Sequence, residues 1–227
     1  MADSKAHPTE MATRSGAARM KMPIPPNIPL ALRFSIRFLN TSQMVLEIVK
    51  YGNPVLRAKG LMISDGDERA RKLADDMIET MRAANGVGLA AQQIGVPIQL
   101  AVIDVSGVED RPSEMIVSGK SVDVTAFMPM ILVNPVIELG KETEEGLEGC
   151  LSFPELNGEI VRAASVKVKA KKLDGSPLEF EARGLLSRAV QHEVDHLNGI
   201  LFIDRMNSAV RTGLAGKLKR LQKQARV

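Results

Sequence analysis

Two histidines four residues apart, in His192-Glu193-Val194-Asp195-His196, constrain this chain more than any other feature. The pattern is H-E-x-x-H. On an α-helix, positions i and i+4 lie on one face, so both imidazoles can reach one metal ion, with Glu193 beside them to take a proton from water. The chain contains only 3 histidines, which makes a chance match of this kind rare. The competing reading is a surface helix whose histidines are merely solvated.

A catalytic zinc-type site usually takes three protein ligands and leaves one position open. The extended pattern H-E-x-x-H-x-x-G-x-x-H would place a histidine at 202, where Phe202 stands, although Gly199 is in place. No glutamate follows His196, so the downstream glutamate of the other common protease arrangement is absent too. The third ligand must come from upstream. The single cysteine, Cys150, lies in Glu148-Gly149-Cys150-Leu151-Ser152. A lone cysteine is by itself more often a small buried apolar group. Here a two-histidine site lacks a ligand, and a flanking glycine permits close backbone approach. A Cys-His-His set with an open position suits a Lewis-acid hydrolase and accepts zinc, iron(II), nickel or cobalt; spacing does not choose among them.

A third unusual stretch runs Asn85-Gly86-Val87-Gly88-Leu89-Ala90-Ala91-Gln92-Gln93-Ile94-Gly95. It is neither a P-loop, since no Gly-Lys-Ser/Thr follows, nor a good dinucleotide fingerprint, since a helix rather than a strand leads into it. The alternate glycines suggest backbone that a ligand approaches closely, and a glutamine there can hydrogen-bond a substrate carbonyl. A helix stop followed by a turn explains the same residues.

Taken together, these segments resemble peptide deformylase. That family carries Gly-Φ-Gly-Φ-Ala-Ala-x-Gln (Φ apolar), then Glu-Gly-Cys-Leu-Ser, then Gln-His-Glu-x-x-His. This chain has Gly86 to Gln93, Glu148 to Ser152 and Gln191 to His196 in the same order, within a resemblance from about Met44 to Val227. The resemblance implies that Cys150, His192 and His196 bind the metal and that Glu193 is the general base and acid. It implies that Gln93 and the Leu151 N–H hold the developing oxyanion, and that Gly88, with Val87 beside it, contacts the substrate. Glu148 would sit beside the site, paired with Arg162. The implied substrate is the N-formylmethionine of newly made polypeptides. The implied metal is one Fe2+ per chain, with Zn2+, Ni2+ or Co2+ as substitutes. Leu185, Ala189 and His192 share a helix face at i, i+4 and i+7, which puts an apolar wall beside the metal for an unbranched methionine side chain. Core packing explains Leu185 and Ala189 as well. Arg188 does not suit an apolar pocket; its stem is expected at the rim.

Composition sets the remaining bounds. With 44% apolar residues but only 3% aromatic ones, the core must be built from aliphatics and methionine. One cysteine rules out an internal disulfide framework and fits a reducing compartment; the resemblance implies the bacterial cytoplasm. No apolar run approaches the ~20 residues needed to span a bilayer. A net charge of +3 does not by itself announce nucleic acid, and no sequence-specific binding is expected.

Residues 1–43 carry six basic and two acidic groups, four clustered prolines and no periodic pattern. They read as a disordered extension, or as an upstream miscalled start with Met44 the true one; an organellar transit segment is the alternative. Residues 44–227 read as a single α+β catalytic domain, antiparallel strands around the central metal-binding helix with a further helix at each end. The spacing of Ala70, Leu73, Ala74, Met77, Ile78, Met81 and Ala84 predicts a helix capped by Asp65 or Asp67 and ended at Asn85-Gly86. Strands are predicted over 96–105, 131–139 and about 166–171, the last turning at Asp174-Gly175 into 178–182, with 106–126 a polar loop. The segment from about Ser208 to Val227 reads as one basic amphipathic helix, with Val210, Leu214, Leu218, Leu221 and Ala225 on one face. Its basic face is either simply solvated or docks on the ribosome where nascent chains emerge.

Overall fold

The computed structural model describes residues 44–225, so the expectations for 1–43 lie outside the described residues. After a short 3-10 turn at Pro54–Arg57 comes α1 (Glu68–Ala83), then β1 (Gly88–Ala90), β2 (Leu100–Ile103), β3 (Ser113–Val117), β4 (Lys120–Val122) and β5 (Met130–Leu139). There follow β6 (Thr143–Gly149), β7 (Asn157–Ala163), β8 (Ser165–Lys171), β9 (Pro177–Arg183), α2 (Gly184–Leu197), α3 (Phe202–Arg205), α4 (Ser208–Gly213) and α5 (Ala215–Gln224). Seven strands form one sheet in the order β1-β2-β5-β8-β9-β3-β4, and β6 pairs with β7 in a separate hairpin. The pairings are antiparallel throughout.

Both faces of the large sheet are covered, and the alternation in β2 shows how. Side chains in a strand point to opposite faces in turn. Leu100 and Val102 join Met77, Ile78 and Met81 of α1, whereas Ile103 joins Leu186, Ala189 and Val190 of α2. The β6–β7 hairpin closes over the other side of α2, so this helix is enclosed from Leu185 to Leu197. A third apolar cluster, Phe153, Leu156, Ile160 and Phe202, receives Val210, Leu214, Leu218 and Leu221 from the C-terminal helices.

The entry into α2 is tightly specified. Gly184 has φ +62°, and a Cβ there would overlap the Pro112 carbonyl oxygen. The first free helix donors, Leu185 N–H and Leu186 N–H, reach Pro112 O at 3.0 Å and Ser113 Oγ at 3.1 Å. At the far end, Leu197 O accepts from Gly60 N–H (2.9 Å), Gln99 Nε2 (3.0 Å) and Gln92 Nε2 (3.2 Å).

Four expectations change. The strand expected over 96–105 is confined to Leu100–Ile103, because the left-handed Gly95 and the donor-less Pro97 keep the preceding residues out of the ladder. The stretch read as a polar loop holds the β3–β4 hairpin, turned at Ser118 and Gly119, both with positive φ. The loop bearing Cys150 springs from the β6–β7 hairpin, which the sequence reading did not contain. The C-terminal helix is two helices meeting at Leu214, where glycines at 213 and 216 weaken continuity. For α1, Asp67 is the cap, accepting from Arg69 N–H, while Asp65 pairs with Lys171.

Candidate metal centre

Burying a polar side chain without a partner is costly. Helix α2 nevertheless buries Ser187, Arg188, Gln191, His192, Glu193, Asp195 and His196. Most are matched one by one. Gln191 uses its amide as a strand would, donating to Ala163 O (2.8 Å) and accepting from Ala163 N–H (3.1 Å), which ties α2 to β7. Asp195 takes Arg162 on one side and Arg205, at 2.6 Å, on the other. What remains without a hydrogen bond among the described residues includes Glu193 Oε2 and His196 Nδ1.

These residues face the Cys150 loop. Cys150 Sγ, His192 and His196 each offer a ligand atom, and the three atoms lie within 4.8 Å of one another. Sγ stands 3.2 Å from His196 Nε2. His192 turns Nδ1 to Glu148 Oε2 at 3.0 Å, which directs its Nε2 toward the sulfur side. Such a set, two imidazoles and a thiol with one imidazole oriented by a carboxylate, fits a divalent transition metal. Phe202, at the position where a longer motif would need a histidine, packs as an apolar ring 6.0 Å from the His192 ring.

The second carboxylate, Glu193, lies against the glycine motif. A Cβ at Gly88 would overlap its carboxyl group, so only glycine lets β1 pass this close. Gln93 accepts Ala90 N–H on Oε1 at 2.8 Å and points Nε2 at Cys150 Sγ (3.5 Å) and Ser152 Oγ (3.4 Å). These donor contacts are long, and the amide N–H is held at the rim of the centre. Leu151 covers Gly86, and its carbonyl accepts from Lys50 Nζ at 3.0 Å. A cavity of about 550 Å³ opens here; Val87, Gly88, Glu148, Leu185 and Ala189 all line it, together with Gln93, Cys150, Leu151, His192 and Glu193. The structure therefore brings every sequence-predicted site residue to one place, with His196 buried just behind the wall.

The electrostatics divide the two glutamates. Burial alone would raise the Glu148 carboxyl, but hydrogen bonds from His192 and Arg162 outweigh it and hold the group well below the usual carboxylate range. Burial dominates at Glu193 and pushes it up to about 7. His196 is held neutral by burial, then by the charge of His192. Burial disfavours a charged His192, yet the Cys150 sulfur and Glu148 outweigh it and raise its pKa well above the histidine norm. A metal ion requires neutral imidazole, so a cation binding here would compete with the proton on His192.

Arg188 lines the cavity, but its charged end turns inward: the residue is 4% exposed, and its guanidinium donates to Glu148 Oε1 at 2.9 Å. The available signal was a cationic residue on the buried face of α2, four residues before His192.

The family model for polypeptide deformylase matches residues 45–212. The peptide deformylase of Methylacidiphilum infernorum is 46% identical over 180 residues, covering 79% of this chain and 94% of that protein. The peptide deformylase of Opitutus terrae is 45% identical over 186 residues, covering 81% and 96%. Among solved structures, a peptide deformylase from Legionella pneumophila aligns with TM-score 0.65 at 36% identity, over 81% of this chain and 99% of that one. The peptide deformylase of Ehrlichia chaffeensis, in complex with actinonin, aligns with TM-score 0.67 at 32% identity, over 81% and 99%. By sequence and by fold alike, the chain belongs to the peptide deformylase family.

Proposed function

We infer that this chain removes the formyl group from the N-terminal formylmethionine of new polypeptides and releases formate, as a metal-dependent hydrolase of a linear amide. The observation that carries the reading is the convergence of Cys150, His192 and His196 within 4.8 Å at a cavity that also holds Glu193.

We assign Cys150, His192 and His196 as the ligands. They would hold a divalent cation, which would supply Lewis acidity toward the formyl oxygen and a water whose pKa is lowered from 15.7 to roughly 7. Glu193 takes the proton of the attacking water and later delivers it to the departing amine. Its free Oε2 and raised pKa suit a group that must hold a proton between those two steps. Gln93 Nε2 and the Leu151 N–H meet the negative charge that grows on the formyl oxygen; one such donor is typically worth about 3–4 kcal/mol. Gly88 and Val87 bring β1 alongside the substrate backbone. Leu185 and Ala189 line the space for the methionine side chain. Glu148 holds His192 in the tautomer that leaves Nε2 for the metal.

Iron(II) is our choice of resident metal, with zinc, nickel or cobalt able to occupy the same donors. A thiolate ligand in a half-buried position favours a reducing compartment, which supports the cytoplasm. Among the described residues no helix is long and apolar enough to cross a membrane. The exposed Arg211, Lys217, Lys219, Arg220 and Lys223 support a salt-sensitive contact with the ribosome.

The test is formate release from a formylmethionyl peptide by protein prepared without oxygen and supplied with iron or nickel. Glu193→Ala should lose about 10²–10⁴-fold in kcat while still binding metal. Wild-type turnover by that variant would overturn the assignment of the base.

A further inference from the structure

The buried guanidinium of Arg188 has no part in the chemistry above, yet it is held more completely than a wall residue needs. It lies over Gly146 of β6, where a Cβ would stand 2.9 Å from Nη2 and 3.0 Å from Cζ. Nη1 donates to Ile160 O on β7 at 2.9 Å, and Nη2 to Glu144 O on β6 at 3.1 Å. These carbonyls fix the guanidinium relative to both strands of the hairpin. From that anchored position Nη1 also reaches Glu148 Oε1 at 2.9 Å. Arg162 takes the same oxygen through Nε (2.9 Å) and the other oxygen through Nη2 (3.0 Å), where His192 Nδ1 also sits at 3.0 Å. The donors are thus divided, two on each oxygen.

We propose that Arg188 is a positioning residue for the metal centre: seated in the space that Gly146 leaves open, it holds Glu148 Oε1 and so keeps Oε2 on His192 Nδ1, fixing the angle at which His192 presents Nε2. Arg162 grips both oxygens from β7 and meets α2 at Asp195, three residues beyond His192. Arg188 is on α2, as His192 is, and ties the hairpin that carries Glu148 to the helix that carries the ligand. The inference rests on His192 being a ligand.

The experiment adds cobalt(II) alone to the chelator-treated full chain and follows its ligand-field and thiolate charge-transfer absorption. The variants are Arg188→Met, Arg188→Lys and Gly146→Ala, the last displacing the guanidinium without removing it. Wild type should bind one cobalt with a thiolate band. Arg188→Met should weaken cobalt roughly 10–100-fold and shift the ligand-field bands. Gly146→Ala should shift them the same way, and Arg188→Lys should recover part of the affinity. In metal-saturated enzyme kcat should fall with KM for the formylmethionyl peptide little changed. If Arg188→Met lowers only the melting temperature, with cobalt affinity and bands as in wild type, Arg188 is a clamp on the hairpin and the proposal is wrong. A raised KM at unchanged kcat also overturns it, making Arg188 pocket wall. Should Arg188→Met not fold, wild-type cobalt behaviour in both other variants overturns it equally. A wild type without the thiolate band refutes the ligand assignment itself, and the proposal falls with it.

Discussion

Glu193 shows what a single buried carboxyl costs and what it provides. Its ordinary pKa is 4.5, and burial raises it to about 7 in the folded chain. The folded state therefore holds the proton more tightly than the unfolded one. Stability from this group is full below pH 4.5 and is lost as pH rises toward 7. Glu193→Gln cannot ionise and escapes that loss. In chelator-treated protein, urea unfolding should find the two chains separated by a pH-independent offset near pH 4. By pH 8 the glutamine variant should have gained up to about 3 kcal/mol relative to wild type. A gap that stays constant with pH would mean that burial does not protonate this carboxyl. The polar candidates were legible because each sits in a short motif: Gln93 after the glycines, Cys150 after Glu148-Gly149, the imidazoles one helical turn apart; Leu185 and Ala189 followed from helix spacing instead. Arg188 was not, because its partners Glu148 and Ile160 lie 40 and 28 residues away and the seat under it is a glycine, which carries no chemical signal of its own.

Among the elements, long periodic segments were readable and short strands were not. Helix α1 and the central helix follow from apolar spacing, and β8–β9 from alternating lysines around an Asp-Gly turn. The β6–β7 hairpin escaped because Glu144, Glu145, Gly146 and Gly149 blur the alternation in one strand, and its other strand starts at Asn157-Gly158. The Ser118-Gly119 turn of β3–β4 carries a hairpin signal that the polar residues around it dilute. The C-terminal helices divide labour by face: Leu214, Leu218 and Leu221 are turned to the Phe153–Phe202 cluster, and the lysines and arginines lie outside. Replacing Lys217, Lys219, Arg220 and Lys223 by glutamate should weaken cosedimentation with ribosomes, more at low salt than at high. Formate release from a free peptide should not change. Equal cosedimentation of both chains at low salt would leave the basic face with a solubilising role only.

In the whole molecule, the proposed metal ligands come from different elements, the sulfur from the loop of the small hairpin and the imidazoles from the helix it covers. A bound cation therefore crosslinks them, and binding to the folded state alone adds stability by mass action. At metal 100-fold above its dissociation constant this is about 2.7 kcal/mol. Chelation should accordingly lower the melting temperature by roughly 5–10 °C in calorimetry. Cys150→Ser, lacking the thiolate, should respond far less; an equal response would show that the metal is held without the sulfur.

The joint at Gly184 makes the fold a lock with a fixed angular setting. One extra residue between β9 and α2 would rotate the whole rod by roughly 100° and swing both imidazoles away from the thiol. The exposed tip at Ser118–Gly119 bears no such constraint, so a peptide tag grafted there should leave turnover intact, while a single alanine slipped in before Leu185 should abolish it.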